Sequence, residues 1–247
     1  MHGFDPATSF GATVAARYDD QPRGDEAAAA QFLAAIAPTK TALEFAIGTG
    51  RIALPLVERG MHVDGIELSP DMIARLHTKP GSKHIHITLG DMSTVSTGRR
   101  YGLVYLVFNT IFNLLTVDDQ INCFVNAARH LDDDGVFVVE TALPHTWMPS
   151  GTSDYVHAEQ VNLDSVMFDV AKYDPVTQLL AENHVRISTT GISMTPIVCR
   201  LITPGEMDLM ARMAGLHLVQ RYANWQQTPF DAQSTAHVSV YARHHTA

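Results

Sequence analysis

Residues 44–50, Glu-Phe-Ala-Ile-Gly-Thr-Gly, close an apolar run on two glycines and lead into a helical pattern. A strand that ends in glycine and feeds a helix turns backbone N–H groups toward a ligand and puts no side chain in its way. Gly48, Gly50 and Ala53 also satisfy the loose Gly-x-Gly-x-x-Gly/Ala fingerprint of dinucleotide sites. Glu67, with Leu68 beside it, ends the next strand pattern, where a carboxylate can accept from both hydroxyls of a ribose. Asp91 ends the third, placed to accept from an adenine amino group, and Met92 can cover the ring. Glu44 is a poor neighbour for a pyrophosphate and an acceptable one for a cationic ligand.

A second set of residues offers acid–base and aromatic chemistry. His145 follows the fifth strand pattern, at the end of the sheet where open α/β folds bind ligands, and is the candidate general base. Glu140 is the alternative base, or the holder of an ammonium group. Phe108, Phe112, Trp147 and Trp225 can wall a cation-binding pocket, with core packing the plainer role for Phe108. The thirteen histidines are scattered; His84 and His86 share a strand face, and His244–His245 is a terminal pair. No third ligand completes a metal site at a recognisable spacing, so none is expected. Cys123 and Cys199 form no Cys-x-x-Cys pattern, which points to reduced thiols and a cytoplasmic location.

The elements that must position these groups can be read from periodicity. Strands are predicted over 41–46, 62–67, 84–89, 103–108 and 136–140, with helices over 25–36, 51–59, 69–79 and 118–131 between or before them. Ser69–Pro70 starts one helix with a cap and a proline at the first helical position. This alternation predicts an α/β fold: a doubly wound, mostly parallel sheet with helices on both faces. The period then changes. Strands over 156–163, 166–173, 179–187 and 192–200, separated by short turn signals, predict antiparallel pairing. A helix over 203–213 and strands over 216–222 and 237–242 close the chain.

At 247 residues, 46% hydrophobic and 17% charged, the chain can bury a sizeable core. Its net charge of −9 argues against nucleic acid as a partner, since phosphate affinity needs clustered Lys and Arg. No apolar run approaches the roughly 18 residues of a membrane span, and residues 1–20 carry no cationic-then-apolar leader pattern. We therefore expect one folded unit over 1–247, with an N-terminal helical lid (1–39), a cofactor-binding core (40–142), an antiparallel β insertion (144–200) and a closing helix and hairpin (201–247).

Taken together, the motifs resemble those of the class I S-adenosylmethionine-dependent methyltransferases. Glu44 to Gly50 matches their first motif, with Ala46 in place of the usual first glycine. Glu67 matches the ribose-binding acid, Gly90–Asp91–Met92 the adenine-binding motif, and Val107–Phe108–Asn109–Thr110 the fourth-strand motif whose backbone helps hold the methionine part. The resemblance covers about residues 40–142, and the antiparallel closing pair also fits, giving a seven-stranded sheet. It implies S-adenosylmethionine as cofactor, held by Glu44, Ala46, Gly48, Gly50, Arg51, Glu67, Leu68, Asp91, Met92, Phe108 and Asn109. It further implies an aromatic lid, here Tyr18, over the cofactor and at the reacting centre with Glu140 and His145. The expected acceptor is a small molecule such as a sugar, amino-acid derivative or secondary metabolite, methylated on nitrogen in slight preference to oxygen. The insertion then roofs the acceptor or forms a dimer surface. A dinucleotide-dependent oxidoreductase and a non-catalytic relative of the fold are the alternatives.

Overall fold

The computed structural model describes residues 4–20, 23–148 and 153–243. Two short helices, α1 (Pro6–Ser9) and α2 (Ala12–Arg17), precede α3 (Glu26–Ile36). The core then runs β1 (Thr41–Phe45), α4 (Ala53–Glu58), β2 (His62–Glu67), α5 (Pro70–His77), β3 (His86–Leu89), β4 (Tyr101–Leu106), α6 (Val117–His130) and β5 (Leu131–Ala142). Four consecutive strands follow: β6 (Asp154–Val161), β7 (Ser165–Asp174), β8 (Leu179–Ser188) and β9 (Gly191–Arg200). The chain closes with α7 (Pro204–Met213), β10 (Leu216–Tyr222) and β11 (Ala236–Arg243).

The main sheet has seven strands in the order β10-β11-β5-β4-β1-β2-β3. β1 to β5 pair in parallel, and β11 and β10 add antiparallel at one edge. The strand order reverses between β1 and β4, which opens a crevice at their carboxyl ends. All six residues of β4 are buried, as a strand covered on both faces requires. Alternation along β1 sends Leu43 and Phe45 into one apolar cluster, with Phe124 and Phe137, and Ala42 into the other, with Phe32, Leu33 and Tyr105.

Local chemistry sets the boundaries. The Ser69 hydroxyl accepts from the Met72 N–H at 3.2 Å, capping α5 as its Ser-Pro start predicts. Thr203 and Glu206 form a capping box at α7. β3 starts at His86 rather than 84, because Ser82–His84 forms a 3-10 turn. β4 ends at Leu106 rather than 108, because Phe108 and Asn109 both turn left-handed, at φ 57° and 62°. The expected strand over 136–140 extends over the whole of β5, matched by the long β11 beside it. α1 and α2 have no counterpart in the predicted elements. Trp225 is core, 6% exposed and edge-on to Phe32 at 5.6 Å.

The second sheet has the order β6-β7-β8-β9, each hairpin pairing with its neighbour. Its base is rooted in the main core through Ala171, Leu180 and Cys199. The buried Arg200 donates to the Gln120 and Gln178 side-chain oxygens, while Gln120 donates to the carbonyls of Ile111 (3.2 Å) and Arg200 (3.1 Å). That network ties the small sheet to the turn over Thr110–Asn113. Its outer face exposes Val156, Val170, Ile192 and Met194. Among the described residues, no helix is long and apolar enough to cross a membrane.

Candidate active site

The glycine turn owes its shape to three residues in the left-handed region: Ala46 (φ 51°), Gly48 (57°) and Gly50 (80°). Gly50 is required on two counts. A Cβ there would be strained by its φ and would meet Leu76 Cδ1 at 2.4 Å. Glu67 reaches across from β2 and fixes the turn: its Oε2 accepts from the Gly48 N–H at 2.7 Å and its Oε1 from the Ser69 N–H at 2.8 Å. Glu67 is 6% exposed. Burial raises its pKa above the ordinary carboxylate value, and the backbone N–H donors from Ser69 and Gly48 oppose that rise.

A cavity of about 310 Å³ opens over this turn. Ala46, Gly48, Glu67, Leu68, Asp91 and Met92 line its core side. Residues of α1, with Phe10 and Tyr18, close it from the N-terminal segment, and Thr110, Asn113, Ile197 and Val198 complete the wall, with α1 packed against β9. Asp91 Oδ1 accepts from the Ser93 N–H and hydroxyl, both at 2.7 Å, which orients the carboxylate at the cavity rim.

Other predicted site residues lie elsewhere. Glu44 does not face the cavity: it is 2% exposed and accepts from the Tyr105 hydroxyl at 2.9 Å. Burial pushes its carboxyl up to about 8. Its place inside the sheet follows from strand alternation, which fixes it on the Tyr105 face. His145 stands exposed on the 3-10 turn Pro144–Thr146 and lines neither this cavity nor the neighbouring hollow described next. Gly50 and Arg51 line a second hollow on the other side of Tyr18, together with Arg23.

Phe108 and Asn109 form a corner at the carboxyl end of β4, and Glu140 holds it. The Glu140 Oε2 accepts from the Phe108 N–H at 2.7 Å, and its backbone carbonyl from the Asn109 N–H at 3.2 Å. The Asn109 side chain in turn accepts from the Ala142 N–H. Burial raises the Glu140 pKa, against the pull of the Phe108 N–H. Phe108 is not core: it is 38% exposed, and the Arg23 guanidinium stacks on its ring.

Arg23 carries no mark in the sequence; only the fold brings it to Phe108 and Tyr18. Arg51 pairs with Asp25 and, at 3.5 Å, with Glu26. Yet Arg23 Nη1 and Arg51 Nη2 are each buried without a hydrogen-bond partner among the described residues. Leaving a buried guanidinium N–H unmet costs about 1–3 kcal/mol, so both nitrogens call for an anionic ligand group.

The N-terminal segment is fastened over the cavity. The Phe10 carbonyl accepts from the Ser69 hydroxyl at 2.7 Å. Asp19 accepts from Thr49 Oγ1 (2.6 Å), Lys79 Nζ (2.9 Å) and Arg75 Nε (3.4 Å). Burial works against the Asp19 charge, but these donors outweigh it and hold its carboxyl below the ordinary range. Asp19→Ala is expected to speed release of a ligand bound in this cavity about tenfold in stopped-flow fluorescence, worth about 1.4 kcal/mol. An unchanged rate would show that the clasp does not gate the cavity.

A family model described as a methyltransferase domain matches residues 42–135. The solved CcbJ methyltransferase from Streptomyces caelestis superposes with a TM-score of 0.91 at 35% identity, covering 98% of this chain and 100% of that one. A dTDP-3-amino-3,6-dideoxy-alpha-D-glucopyranose N,N-dimethyltransferase from Streptomyces fradiae is 34% identical over 120 residues, 48% of this chain and 45% of the relative. The cypemycin N-terminal methyltransferase from a Streptomyces species is 22% identical over 204 residues, 83% of each chain. With a seven-stranded sheet of this order, a glycine turn closed by Glu67, and these relatives, the chain belongs to the class I S-adenosylmethionine-dependent methyltransferases.

Proposed function

We propose that this enzyme methylates the nitrogen of a small-molecule amine. The observation that carries the reading is the make-up of the cavity: among the described residues that line it, none is histidine, lysine or cysteine, and its carboxylates are engaged, Glu67 with the Gly48 and Ser69 N–H groups, Asp91 with Ser93 and Asp119 with the Thr116 hydroxyl. A hydroxyl acceptor needs a base near its proton at the moment of attack, whereas a neutral amine does not. Two relatives, the dTDP-amino-sugar N,N-dimethyltransferase and the cypemycin N-terminal methyltransferase, support the same choice.

The residues present fit S-adenosylmethionine. Glu67 would take the ribose hydroxyls, Asp91 the adenine amino group, and Leu68 and Met92 the faces of the ring. Ala46, Gly48 and Gly50 would let the backbone approach. Arg23 and Arg51 would meet the carboxylate of the methionine part, which supplies the anion their orphaned nitrogens lack. Phe108 and Asn109 would bound that part from β4, with Glu140 as the residue that holds their corner. When bound, the cofactor supplies the methyl carbon and its own neutral leaving group. The protein's work is then alignment: Tyr18 and the clasped N-terminal segment exclude water, and the walls hold the acceptor in line. Such positioning supplies roughly 7–11 kcal/mol of the barrier.

The test is mass spectrometry of reactions with S-adenosylmethionine and matched panels of amines and alcohols. Gain of one or two methyl groups on amines is expected. Turnover confined to hydroxyls would overturn the nitrogen reading.

A further inference from the structure

Helix α6 buries Gln120, Asn126 and His130, which are 0%, 2% and 2% exposed. A polar side chain enters a core only at a cost unless it is hydrogen-bonded. These three reach the backbone of loops beside the cavity. Gln120 holds the Ile111 and Arg200 carbonyls, next to the wall formed by Thr110, Asn113 and β9. The Asn126 amide nitrogen donates to the Met92 and Val95 carbonyls, both at 2.9 Å. That nitrogen has two hydrogens, and this one turn takes both. One helical turn further on, His130 Nδ1 donates to the Asn126 carbonyl at 2.8 Å, and its Nε2 accepts from the Thr97 N–H at 3.1 Å.

The turn held by Asn126 is the one that follows β3 and carries Asp91. Its own bonds are local. The Asp91 carbonyl accepts from the Thr94 N–H at 3.1 Å and the Val95 N–H at 2.8 Å, and the Asp91 side chain accepts from Ser93. Val95 closes against Gly90, where φ is 153° and a Cβ would meet the Val95 Cγ2 at 2.9 Å. Residues 90–95 therefore form a closed unit, and its tilt against the sheet is set from outside, by α6. Asp91 and Met92 line the cavity, and Asn126 does not. Any effect of Asn126 on a ligand there passes through the turn.

We infer that Asn126 is the positioning residue for the adenine half of the cofactor, setting the turn so that Asp91 meets the amino group of the base. The inference rests on the roles proposed above for Asp91 and Met92, and it is independent of whether the acceptor atom is nitrogen or oxygen. Geometry makes the site sensitive. A contact of about 2.9 Å that lengthens by about 1 Å is no longer a hydrogen bond. Without the amide, the Met92 and Val95 carbonyls lose their donor, and the turn gains by tilting toward water. Such a tilt takes the Asp91 carboxylate away from the base and leaves Glu67, on its own strand, where it was. The expected loss is therefore selective for the adenine contact. Gln120 offers the matching control, since it is a buried amide on the same helix that holds carbonyls at the other wall.

The experiment is calorimetry on the full chain with two probes, S-adenosylhomocysteine and S-inosylhomocysteine. The second carries an oxygen where adenine carries its amino group, and so offers Asp91 an acceptor in place of a donor. Wild type is expected to prefer the adenosyl compound at least thirtyfold. In Asn126→Ala, affinity for that compound is expected to fall about tenfold while affinity for the inosyl compound changes less than threefold, so the preference shrinks about tenfold. Asn126→Ser, whose hydroxyl can serve one of the two carbonyls, is expected to fall midway, and it is the variant to read if the alanine fails to fold. Gln120→Glu keeps the acceptor for Arg200 but removes the amide hydrogens, and it is expected to retain the wild-type preference. Equal losses for both probes, or the same collapse in Gln120→Glu, would make Asn126 an ordinary core residue and overturn the proposal. A lower melting temperature with the preference intact overturns it too and leaves the Asp91 role standing. No preference in wild type removes that role and the proposal together.

Discussion

Glu67→Ala is expected to weaken S-adenosylhomocysteine binding at least 100-fold in isothermal calorimetry. Two effects add. A carboxylate that accepts from both ribose hydroxyls contributes two charge-assisted hydrogen bonds, each worth about 1.5–3 kcal/mol. The same side chain also holds the Gly48 and Ser69 N–H groups, so its loss frees the glycine turn as well as the ribose. Glu67→Gln separates the two. It keeps an acceptor for one backbone N–H but gives up the charge, and should fall between wild type and alanine. A dissociation constant for Glu67→Ala within threefold of wild type would refute the ribose assignment.

The second large effect is on stability. Burial pushes the Glu44 carboxyl up to about 8 from an ordinary 4.5, against the opposing pull of the Tyr105 hydroxyl that donates to it. A carboxyl whose pKa rises on folding binds its proton more tightly in the native state. Its contribution to stability is therefore complete below about 4.5 and is lost as pH climbs through about 8. Glu44→Gln retains an acceptor for the Tyr105 hydroxyl and removes the titration. In thermal melts from pH 5 to 9, wild type is expected to lose several degrees relative to the variant, with the gap widening steadily from about pH 5 to 8 and levelling off above. Parallel profiles would show that Glu44 ionises as freely as it does in the unfolded chain.

Much of this architecture could be read from periodicity, because its elements bury one face or both. β4 reads as an apolar run, and the change of period after residue 150 announces the second sheet. The glycine turn, Glu67 and Asp91 were legible because local backbone geometry dictates residue type there. The dinucleotide alternative shared the same glycine signal, and membership of the methyltransferases removes both it and the non-catalytic reading. What stayed hidden depends on contacts between distant segments. Asn126 and Met92 are 34 residues apart and meet only once α6 packs on the sheet. Arg23 matters because Phe108 leaves the core on a left-handed corner, which no apolar pattern foretells. Glu44 had the right type for a cation contact but the wrong strand parity. His145 sits beyond the right strand end, on a turn that points it to solvent. α1 and α2 are too short to show a period.

The clasp of Asp19 onto Thr49, Arg75 and Lys79 also bears on how often one acceptor can be modified in a single encounter. The N-terminal segment reaches from Ser69, where the Phe10 carbonyl is held, to β9, against which α1 packs. On the proposed function, cofactor and acceptor both lie beneath it. A second methyl would then be added in the same encounter only if the clasp let spent cofactor out while the acceptor stayed. Processivity would depend on how selectively that cover opens, with Asp19 as its fastening.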